Sequence, residues 1–381
     1  MTRRFLPGAT IGLMGSGQLG RMFAIAARRM GYRVHVYSPD RDTPAGQFSD
    51  REVTGAYEDE KAVRAFAREL DLLTFEFENI PRQTIEWCAA ECEVRPAGSI
   101  LHTAQNRLRE KDFLSGAGIP VAAYRAIRSE PELGRALAEI GTPAILKSAA
   151  FGYDGKGQRL IADGSPMDQI WRERPGAELI LERAIDFEKE VSVIVARGQD
   201  GSVATFPLCE NLHRDHILDI TVVPARVSPA VETSAAELAR TIAEKMELVG
   251  LLAVEMFLQR DESLLVNELA PRPHNSGHWT IEGCATSQFE QHVRAVCGLP
   301  LGSTSVIQPS AMANLLGDLW QYGEPNWAAA LEVEGVRLHL YGKHQPRPRR
   351  KMGHLTALAS TAEAAVAAAT KARDALVGSP A

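Results

Sequence analysis

Residues 253–269 read AVEMFLQRDESLLVNEL, two apolar runs that flank a polar turn at Asp261 and Glu262. Runs of this kind around a short polar turn predict a β-hairpin. A turn symmetric about Asp261 and Glu262 places Glu255 directly opposite Glu268 on the neighbouring strand. Opposed residues have Cβ atoms about 4.5–5.5 Å apart, and like charges there destabilise a sheet. We therefore expect a cation between the two glutamates.

Magnesium is the cation that fits this pair best. It binds one or two carboxylates together with substrate phosphates, and the apolar neighbours of the glutamates disfavour two buried carboxylates without a counter-charge. The competing interpretation is a slipped hairpin in which one glutamate faces solvent. In the irregular loop that follows, Asn275 is a candidate for completing the metal shell and Arg272 for meeting an anion. His274 and His278 are candidate general acid or base groups, although a loop histidine is more often a simple hydrogen-bonding residue.

A glycine-rich loop in the middle of the chain predicts a nucleotide site. Lys147 ends an apolar strand, residues 151–158 read FGYDGKGQ, and another strand follows. A Walker loop needs its lysine at a helix N-terminus, whereas here the loop joins two strands and can cover phosphates with backbone N–H groups. We favour this function over a plain flexible hairpin. Downstream, Glu182 ends a strand and Glu190 opens the next, where carboxylates could hold an adenine amine and a ribose.

Near the N-terminus, Gly15–Gly20 (GSGQLG) matches the dinucleotide fingerprint, between an apolar strand at Thr10–Met14 and a helical pattern. Alternating strands and helices here predict a parallel sheet covered by helices. Alone, the motif suggests an NAD-dependent oxidoreductase, but Ser38 and Pro39 separate the second strand from the candidate ribose ligand Asp40. The helix N-terminus can hold a phosphate or another polar group of a small molecule. The alternative is that the glycines only permit tight packing of helix on strand.

The remaining periodicity predicts a helix over 58–70, a strand over 72–77 and a long helix over 234–249. An alanine-rich helix near the C-terminus is expected to begin at a capping box formed by Ser360 and Glu363.

Size and composition restrict the class of protein. A chain of 381 residues predicts two or three domains. The net charge of −6 argues against nucleic-acid binding, and the N-terminal segment is too short for a signal peptide or membrane span. The five cysteines are scattered and lack the C-x-x-C spacing of a zinc site. We expect a cytoplasmic protein that binds neither nucleic acid nor membranes.

Together, the strand-end lysine, the glycine lid, the acidic strand end and the glutamate pair resemble the ATP-grasp superfamily, over essentially the whole chain. More closely, the chain resembles the 5-(carboxyamino)imidazole ribonucleotide synthase (PurK) family. The motifs that carry this resemblance are Gly15–Met22, Thr74–Ile80, Gly152–Gln158, Asn267–Trp279 and Arg350–His354. Biotin carboxylases and the formate-using glycinamide ribonucleotide transformylase continue differently after the second metal glutamate.

The resemblance implies an α/β and α+β fold with three parts. These are an N-terminal Rossmann-like domain over 1–108, an ATP-grasp domain over 109–305 with a lid at about 122–190, and a C-terminal substrate-binding region over 306–381. It implies ATP-dependent carboxylation of aminoimidazole ribonucleotide with bicarbonate, via carboxyphosphate, in purine synthesis. ATP and Mg²⁺ are the expected cofactors. A homodimer and a downstream mutase are the expected partners.

The resemblance also implies roles for individual residues. The expected ATP contacts are Arg107, Lys147, Gly152, Tyr153, Asp154, Gly155, Lys156, Gly157, Gln158, Glu182, Arg183, Ala184, Ile185, Glu190, His213, Asn267 and Glu268. The expected substrate contacts are Gln18, Leu19, Glu76, Asn79, Lys343 and Arg350. The expected catalytic residues are Tyr153, Asp154, Arg272, His274 and Lys343, and the expected metal ligands are Glu255, Glu268 and Asn275. Lys156 stands where the family has arginine, which keeps the charge. Asp154 and His274 both remain candidates for the general base.

A basic stretch near the C-terminus, within residues 343–351, has two interpretations. Such a cluster is often a solvated face or a nucleic-acid patch, but a ribonucleotide carries a phosphate that needs charged donors. We predict that Lys343 and Arg350 bind the ribose 5′-phosphate, while Arg347 and Arg349 face solvent.

Overall fold

The computed structural model describes residues 3–150, 157–166, 170–171 and 178–377. The predicted lid residues Gly152, Tyr153, Asp154, Gly155 and Lys156 lie outside the described residues. Within the described ranges, no helix has both the length and the apolar composition that crossing a bilayer requires. The domain boundaries given above stay predictions.

The N-terminal part is the predicted parallel sheet, with strand order β3-β2-β1-β4-β5. Its elements are β1 (Thr10–Met14), α1 (Gln18–Arg29), β2 (Arg33–Ser38), a 3-10 turn (Gly46–Phe48), β3 (Arg51–Thr54), α2 (Glu60–Ala67), β4 (Leu72–Phe75), α3 (Arg82–Ala89) and β5 (Glu93–Val94). Strands β1 and β4 are entirely buried, as expected for central strands with helices on both faces. Their carboxyl ends, where parallel sheets bind ligands, carry Gly15 and Glu76.

Two helices connect this sheet to the next part of the chain, namely α4 (Gly98–Ala104) and α5 (Arg107–Gly116). Helix α5 begins after Asn106, whose side-chain oxygen accepts hydrogen bonds from Leu108 N at 2.9 Å and Arg109 N at 3.2 Å. This cap fixes the first turn of α5.

A small antiparallel sheet follows, with strand order β6-β9-β7-β8. Its elements are β6 (Tyr124–Ile127), α6 (Glu130–Ile140), β7 (Ala144–Ser148), β8 (Gln158–Ile161) and β9 (Leu179–Arg183). Helix α6 packs on it through Leu133, Ala136 and Ile140, which recur at helical spacing. Lys147 lies on β7, one residue before the strand ends.

The rest of the described chain forms a long antiparallel sheet, β15-β14-β10-β12-β13-β16-β18-β17, with β11 beside β10. Its strands are β10 (Lys189–Arg197), β11 (Val203–Thr205), β12 (Cys209–Arg214), β13 (Ile217–Val223), β14 (Gly250–Leu258), β15 (Leu264–Ala270), β16 (Ser310–Leu316), β17 (Val336–Leu340) and β18 (Lys351–Leu358). Its helices are α7 (Pro229–Lys245), α8 (Thr280–Gly283), α9 (Gln288–Cys297), α10 (Trp327–Leu331) and α11 (Ala362–Ala375), with 3-10 turns at Asn275–Gly277 and Gly317–Trp320. Because β16 pairs with β13, the C-terminal part extends the same sheet.

Several predicted boundaries are wrong, and side-chain caps explain two of them. Helix α7 begins at Pro229, earlier than predicted, because Ser228 accepts the first-turn N–H of Val231. Helix α11 is capped by Thr361, which accepts from Ala364 N at 3.2 Å, so the predicted capping box was one residue off. Helix α2 and strand β4 are both shorter than predicted.

The predicted pairing of Glu255 with Glu268 is confirmed, but the predicted turn is wrong. Leu258 pairs with Leu264, whereas the symmetric turn would pair Leu258 with Leu265. A bulge then inserts Asn267 as an extra residue on β15, and this shift restores the pairing of the two glutamates.

Candidate active site

A cleft of about 920 Å³ lies between the three sheets, within the size range of small-molecule sites. The ends of β1 and β4, strand β7 and the hairpin of β14 and β15 all contribute to its wall. The predicted site residues that line it are Gln18, Leu19, Glu76, Asn79, Arg107, Lys147, Gln158, Glu190, His213, Glu255, Asn267, Glu268, Arg272, His274 and Asn275. Residues that are distant in sequence therefore meet in one place.

Some predicted residues are not brought to this wall. Of the described residues, those outside it are Gly157, Glu182, Arg183, Ala184, Ile185, Lys343 and Arg350. The Arg183 side chain is exposed at the end of β9, and the N–H of Ala184 is already bonded to the carbonyl of Pro143. Glu182 is buried behind the wall. The predicted contact of Arg183 with ATP has no support in this placement.

Glu182 is the counter-ion of two buried lysines. Its Oε2 lies 3.1 Å from the Nζ of Lys147 and 3.9 Å from the Nζ of Lys111. Burial raises the pKa of Glu182, but the two ammonium groups outweigh this and lower the pKa overall. Lys147 is thus held in a fixed position at the cleft, and the carboxylate of Glu182 partly balances its charge.

Each of the opposed glutamates has its own basic side chain as a partner. Glu268 Oε2 lies 3.1 Å from Arg107 Nη1, and Glu255 Oε1 lies 2.9 Å from His274 Nε2. Burial raises the pKa of Glu255, but the charge and hydrogen bond of His274 lower it to about 2. With side chains 24% and 41% exposed, Glu255 and Glu268 present oxygens to the cleft. This arrangement relieves the repulsion expected from their pairing.

The residues present fit a magnesium ion. Asn275 is 7% exposed, and within the described residues neither Oδ1 nor Nδ2 of its side chain has a hydrogen-bond partner. A buried amide without partners is expected to meet a ligand. Two carboxylates and one amide oxygen are hard donors of the kind Mg²⁺ prefers. Among the described residues there is no group of three or more His, Cys, Asp or Glu side chains that could hold a metal ion.

The glycine motif at the start of α1 holds an anion from its own chain. Gly17 N donates to Glu76 Oε1 at 2.7 Å, and Gly20 N donates to Oε2 at 3.1 Å. A Cβ at Gly15, which has a φ of +95°, would lie 2.7 Å from Oε1 of Glu76. The carboxylate of Glu76 occupies the amides of Gly17 and Gly20, so these two amides are not open to a ligand phosphate. The wider expectation that this helix N-terminus meets a polar group of a small molecule stays a prediction. Burial raises the pKa of Glu76, and these two N–H groups oppose that rise.

Arg272 joins the hairpin to the N-terminal sheet. Its side chain is 14% exposed and forms an ion pair with Glu78, beyond the end of β4. Its Nη1 donates to Pro273 O at 2.9 Å, and within the described residues its buried Nε has no partner. Burial lowers the pKa of Arg272, but the charges of Glu78, Glu76 and Glu268 raise it overall. A guanidinium that faces several carboxylates is placed to hold an anion in the cleft.

The basic stretch reaches the cleft through Lys351. Lys351 lines the wall, and its backbone oxygen accepts a hydrogen bond from Lys343 Nζ at 2.6 Å. Arg350 is exposed and donates to Gln345 O at 2.9 Å. The prediction that Arg349 faces solvent is confirmed by its exposure, although its guanidinium also donates to Asp215 O at 2.6 Å.

Comparison with known proteins identifies the family. Residues 8–105 match a ribonucleotide synthetase preATP-grasp domain, 112–289 an ATP-grasp domain, and 310–368 a phosphoribosylaminoimidazole carboxylase C-terminal domain. An N5-carboxyaminoimidazole ribonucleotide synthase of Bacillus subtilis is 46% identical over 350 residues, which are 92% of this chain and 91% of that protein. The chain belongs to the N5-carboxyaminoimidazole ribonucleotide synthase family. It is therefore an ATP-grasp ligase, and the oxidoreductase alternative is wrong.

Solved structures of N5-carboxyaminoimidazole ribonucleotide synthases share the whole fold. An ADP complex superposes with a TM-score of 0.92 at 42% identity, covering 98% of both chains. A structure from Aspergillus clavatus in complex with ADP and 5-aminoimidazole ribonucleotide has a TM-score of 0.87 at 34% identity, covering 97% of this chain and 98% of that one. The predicted combination of three parts is thus confirmed.

Several cleft residues of this N5-carboxyaminoimidazole ribonucleotide synthase family member were not predicted from the sequence. Phe187 and Phe257 stack at 4.7 Å between ring centroids and offer an apolar surface at the cleft. Glu110 also lines the wall, and burial raises its pKa to about 8. The two phenylalanines carried no local signal, whereas Glu110 and Lys111 share the helical face of Arg107 and could have been recognised from that spacing.

Proposed function

We propose that this cleft carries out the reaction of its family, the ATP-dependent carboxylation of 5-aminoimidazole ribonucleotide with bicarbonate. The products are N5-carboxyaminoimidazole ribonucleotide, ADP and phosphate. The observation that carries the proposal is the meeting of Lys147, Arg107 and the opposed pair Glu255 and Glu268 in one cleft. Arg272 and Lys351, the last residue of the basic stretch, line the same cleft and add positive charge.

One end of the cleft is proposed to bind the nucleotide phosphates. Lys147 and Arg107 are buried or nearly so and are held by carboxylates, so they can neutralise phosphate charge without large rearrangement. Phosphoryl transfer depends mainly on such positioning and charge neutralisation. Glu255, Glu268 and Asn275 would hold Mg²⁺. Magnesium, when bound, neutralises charge on the transferred phosphoryl group.

The other end is proposed to bind the ribonucleotide and the activated bicarbonate. Arg272 would hold the acyl phosphate away from water, since its fork of donors suits a planar or phosphate anion. Lys343 and Arg350 would bind the ribose 5′-phosphate, since both carry donors suited to a phosphate, and burial together with the charge of Arg350 lowers the pKa of Lys343. His274 is fixed between Glu255 and Ser276 and is a candidate to move a proton at its Nε2.

The partners and the compartment belong to the same proposal. The product is a labile N-carboxylate, so an enzyme that consumes it, such as a mutase, is expected to act next. A homodimer is proposed, and exposed apolar side chains such as Ile307 and Tyr322 are candidates for its interface. The cysteines are all free thiols, which supports a cytoplasmic, reducing compartment.

Single substitutions should separate the two ends of the cleft. Lys343→Ala is expected to raise the KM for the ribonucleotide about 10–100-fold, because a charged hydrogen bond contributes about 1.5–3 kcal/mol. Arg350→Ala should act in the same direction, and the KM for ATP should stay within about twofold. Lys147→Ala is expected to raise the KM for ATP and to leave the KM for the ribonucleotide within about twofold. The measurement is phosphate release from ATP with each substrate varied in turn.

The control for this test is Lys371→Ala, at an exposed position on α11. It should match the wild type in both constants. If Lys343→Ala weakened ATP and spared the ribonucleotide, the two ends would be assigned the wrong way round. If phosphate release by the wild type needed neither bicarbonate nor the ribonucleotide, the proposed reaction itself would fail.

Binding of the ribonucleotide should weaken at high pH. Burial lowers the pKa of Lys343 to about 8, and the charge of Arg350 adds to this effect. The protonated amine binds the phosphate, so KM should be lowest below this pKa and should rise as the pH increases through it. We expect a rise of about tenfold per pH unit between about pH 8.5 and 9.5. Lys343→Arg should abolish the rise, because a guanidinium stays protonated. An equal rise in that variant would exclude Lys343 as its origin.

A further inference from the structure

The bulge on β15 determines which side chains reach the cleft. Neighbouring residues of a regular strand point to opposite faces of a sheet. Asn267 and Glu268 are neighbours, yet both line the cleft. The extra residue in the pairing of β15 with β14 is Asn267 itself. A bulge re-aims side chains in this way, so the site requires the bulge to persist.

Helix α5 binds the backbone of β15 on both sides of this bulge. Strand β15 lies at the edge of its sheet, and its outer side is met by an isolated bridge between Val266 and Val121, with Val266 N donating to Pro120 O at 2.8 Å, and not by a full strand. Lys111 Nζ donates to the carbonyls of Val266 and Asn267, each at 3.1 Å. Leu269 N donates to Glu110 Oε2 at 2.9 Å. The two side chains thus replace ladder hydrogen bonds that the bulge and the edge leave unmade.

Both of these side chains are buried, although they are charged residues by type. Glu110 and Lys111 are each 1% exposed. Burial of such groups is costly unless they make specific hydrogen bonds. A third residue of the same helical face, Arg107, contacts Glu268 Oε2 at 3.1 Å. One face of α5 therefore contacts both the backbone of residues 266–269 and the side chain of Glu268.

We propose that Glu110 and Lys111 are positioning residues that hold the bulge at Asn267 and so aim Asn267 and Glu268 into the cleft. This inference rests on the proposed function, in which Asn267 and Glu268 lie beside the nucleotide phosphates and the metal. The competing explanation is electrostatic, because Lys111 also lies 3.9 Å from Glu182, the partner of Lys147.

Two substitutions separate these explanations when they are measured at pH 9, above the pKa of about 8 of Glu110, so that each removes a charge. Lys111→Met keeps the length of the side chain and removes its donors, and Glu110→Ala removes the acceptor of Leu269 N–H. Positioning predicts the same outcome for both, namely about tenfold weaker apparent Mg²⁺ affinity and about tenfold lower kcat. The KM for the ribonucleotide should stay within about twofold. Glu110→Gln, which retains an acceptor oxygen, should recover to within about threefold of the wild type.

Backbone amide exchange in the ligand-free protein gives a readout that does not depend on activity. The amide of Leu269 should exchange about tenfold faster in Glu110→Ala than in the wild type or in Glu110→Gln. Lys111→Met should accelerate exchange across 266–269. The matched controls are the exposed variants Lys371→Met and Glu237→Ala, which should change neither exchange nor Mg²⁺ affinity.

Each outcome decides one of the two proposals. Opposite changes of Mg²⁺ affinity in Lys111→Met and Glu110→Ala would support the electrostatic explanation and overturn positioning. Variants that match the controls in exchange and affinity, in an enzyme that carboxylates normally, would overturn positioning alone. A wild type without bicarbonate-dependent activity would refute the proposed function, while exchange would still test the bulge. If thermal unfolding shows that Lys111→Met does not fold, the comparison of Glu110→Ala with Glu110→Gln decides.

Discussion

Glu268→Gln is expected to lower magnesium-dependent turnover by about 10²–10³-fold while the chain stays folded, because metal ligation contributes several kcal/mol to phosphoryl transfer. The substitution keeps the size of the side chain and one acceptor oxygen but removes the charge that faces the cleft. Glu255 and Asn275 would remain, and neither can replace the lost carboxylate. The change should appear in kcat and in the Mg²⁺ concentration needed for half-maximal rate. The ribonucleotide KM should change little.

The same substitution at Glu262, an exposed residue in the turn of the same hairpin, provides the control. Glu262→Gln should retain wild-type rates and the same melting temperature. The ion pair of Glu268 with Arg107 is partly exposed, so its loss should alter the melting temperature only slightly. Full magnesium-dependent activity of Glu268→Gln would refute the assignment of Glu268 as a metal ligand.

The hairpin shows which part of the site could be predicted from sequence. Two apolar runs around a polar turn predicted the pairing of Glu255 with Glu268, and the pairing holds because the bulge offsets the one-residue error in the predicted turn. The bulge at Asn267 was not predictable from these runs. It is accompanied by contacts from Lys111, which lies more than 150 residues earlier in the chain. Local periodicity reports which residues form strands, whereas a bulge depends on what packs against the strand edge.

For the glycine motif, the local structure was predicted correctly, but the carboxylate that its amides bind was not. The strand, turn and helix form where Gly15–Gly20 predicted them. The anion at the helix N-terminus is Glu76, which lies 59 residues from Gly17 in sequence. A short motif specifies backbone amides that can bind an anion, but it does not specify whether that anion comes from a ligand or from the chain. Comparison with relatives, together with this contact, excludes the dinucleotide interpretation.

Residues missed by the sequence analysis fall into two groups. Glu110 and Lys111 had a readable signal, since they follow Arg107 at helical spacing. Phe187 and Phe257 had none, because they lie on different segments that meet only in the folded chain. The contact of Arg183 with ATP, which the resemblance implied, has no support in the fold, since neighbouring strand residues face opposite ways and the Arg183 side chain is exposed.

Arg272→Lys is expected to uncouple ATP hydrolysis from carboxylation. Arg272 is the cation that faces Glu78, Glu76 and Glu268, so it lies where the N-terminal sheet meets the metal hairpin. Lysine keeps the charge, and this should preserve the balance with the buried carboxylates and the fold. It loses the planar fork that can hold an acyl phosphate with two parallel hydrogen bonds. Carboxylation should therefore fall about 10²-fold, the usual effect of removing one donor to a developing anion.

Phosphate release should fall much less than carboxylation, because the phosphate end of the cleft keeps Lys147 and Arg107. The measurement is the ratio of phosphate released to ribonucleotide carboxylated, which should be near one in the wild type and should rise at least about tenfold in Arg272→Lys. Arg260→Lys, at an exposed arginine in the hairpin turn, is the matched control and should keep the wild-type ratio. A variant that lost both activities in parallel would show that Arg272 acts before the acyl phosphate forms, in phosphoryl transfer itself. A variant with the wild-type ratio and rate would remove Arg272 from the reaction altogether.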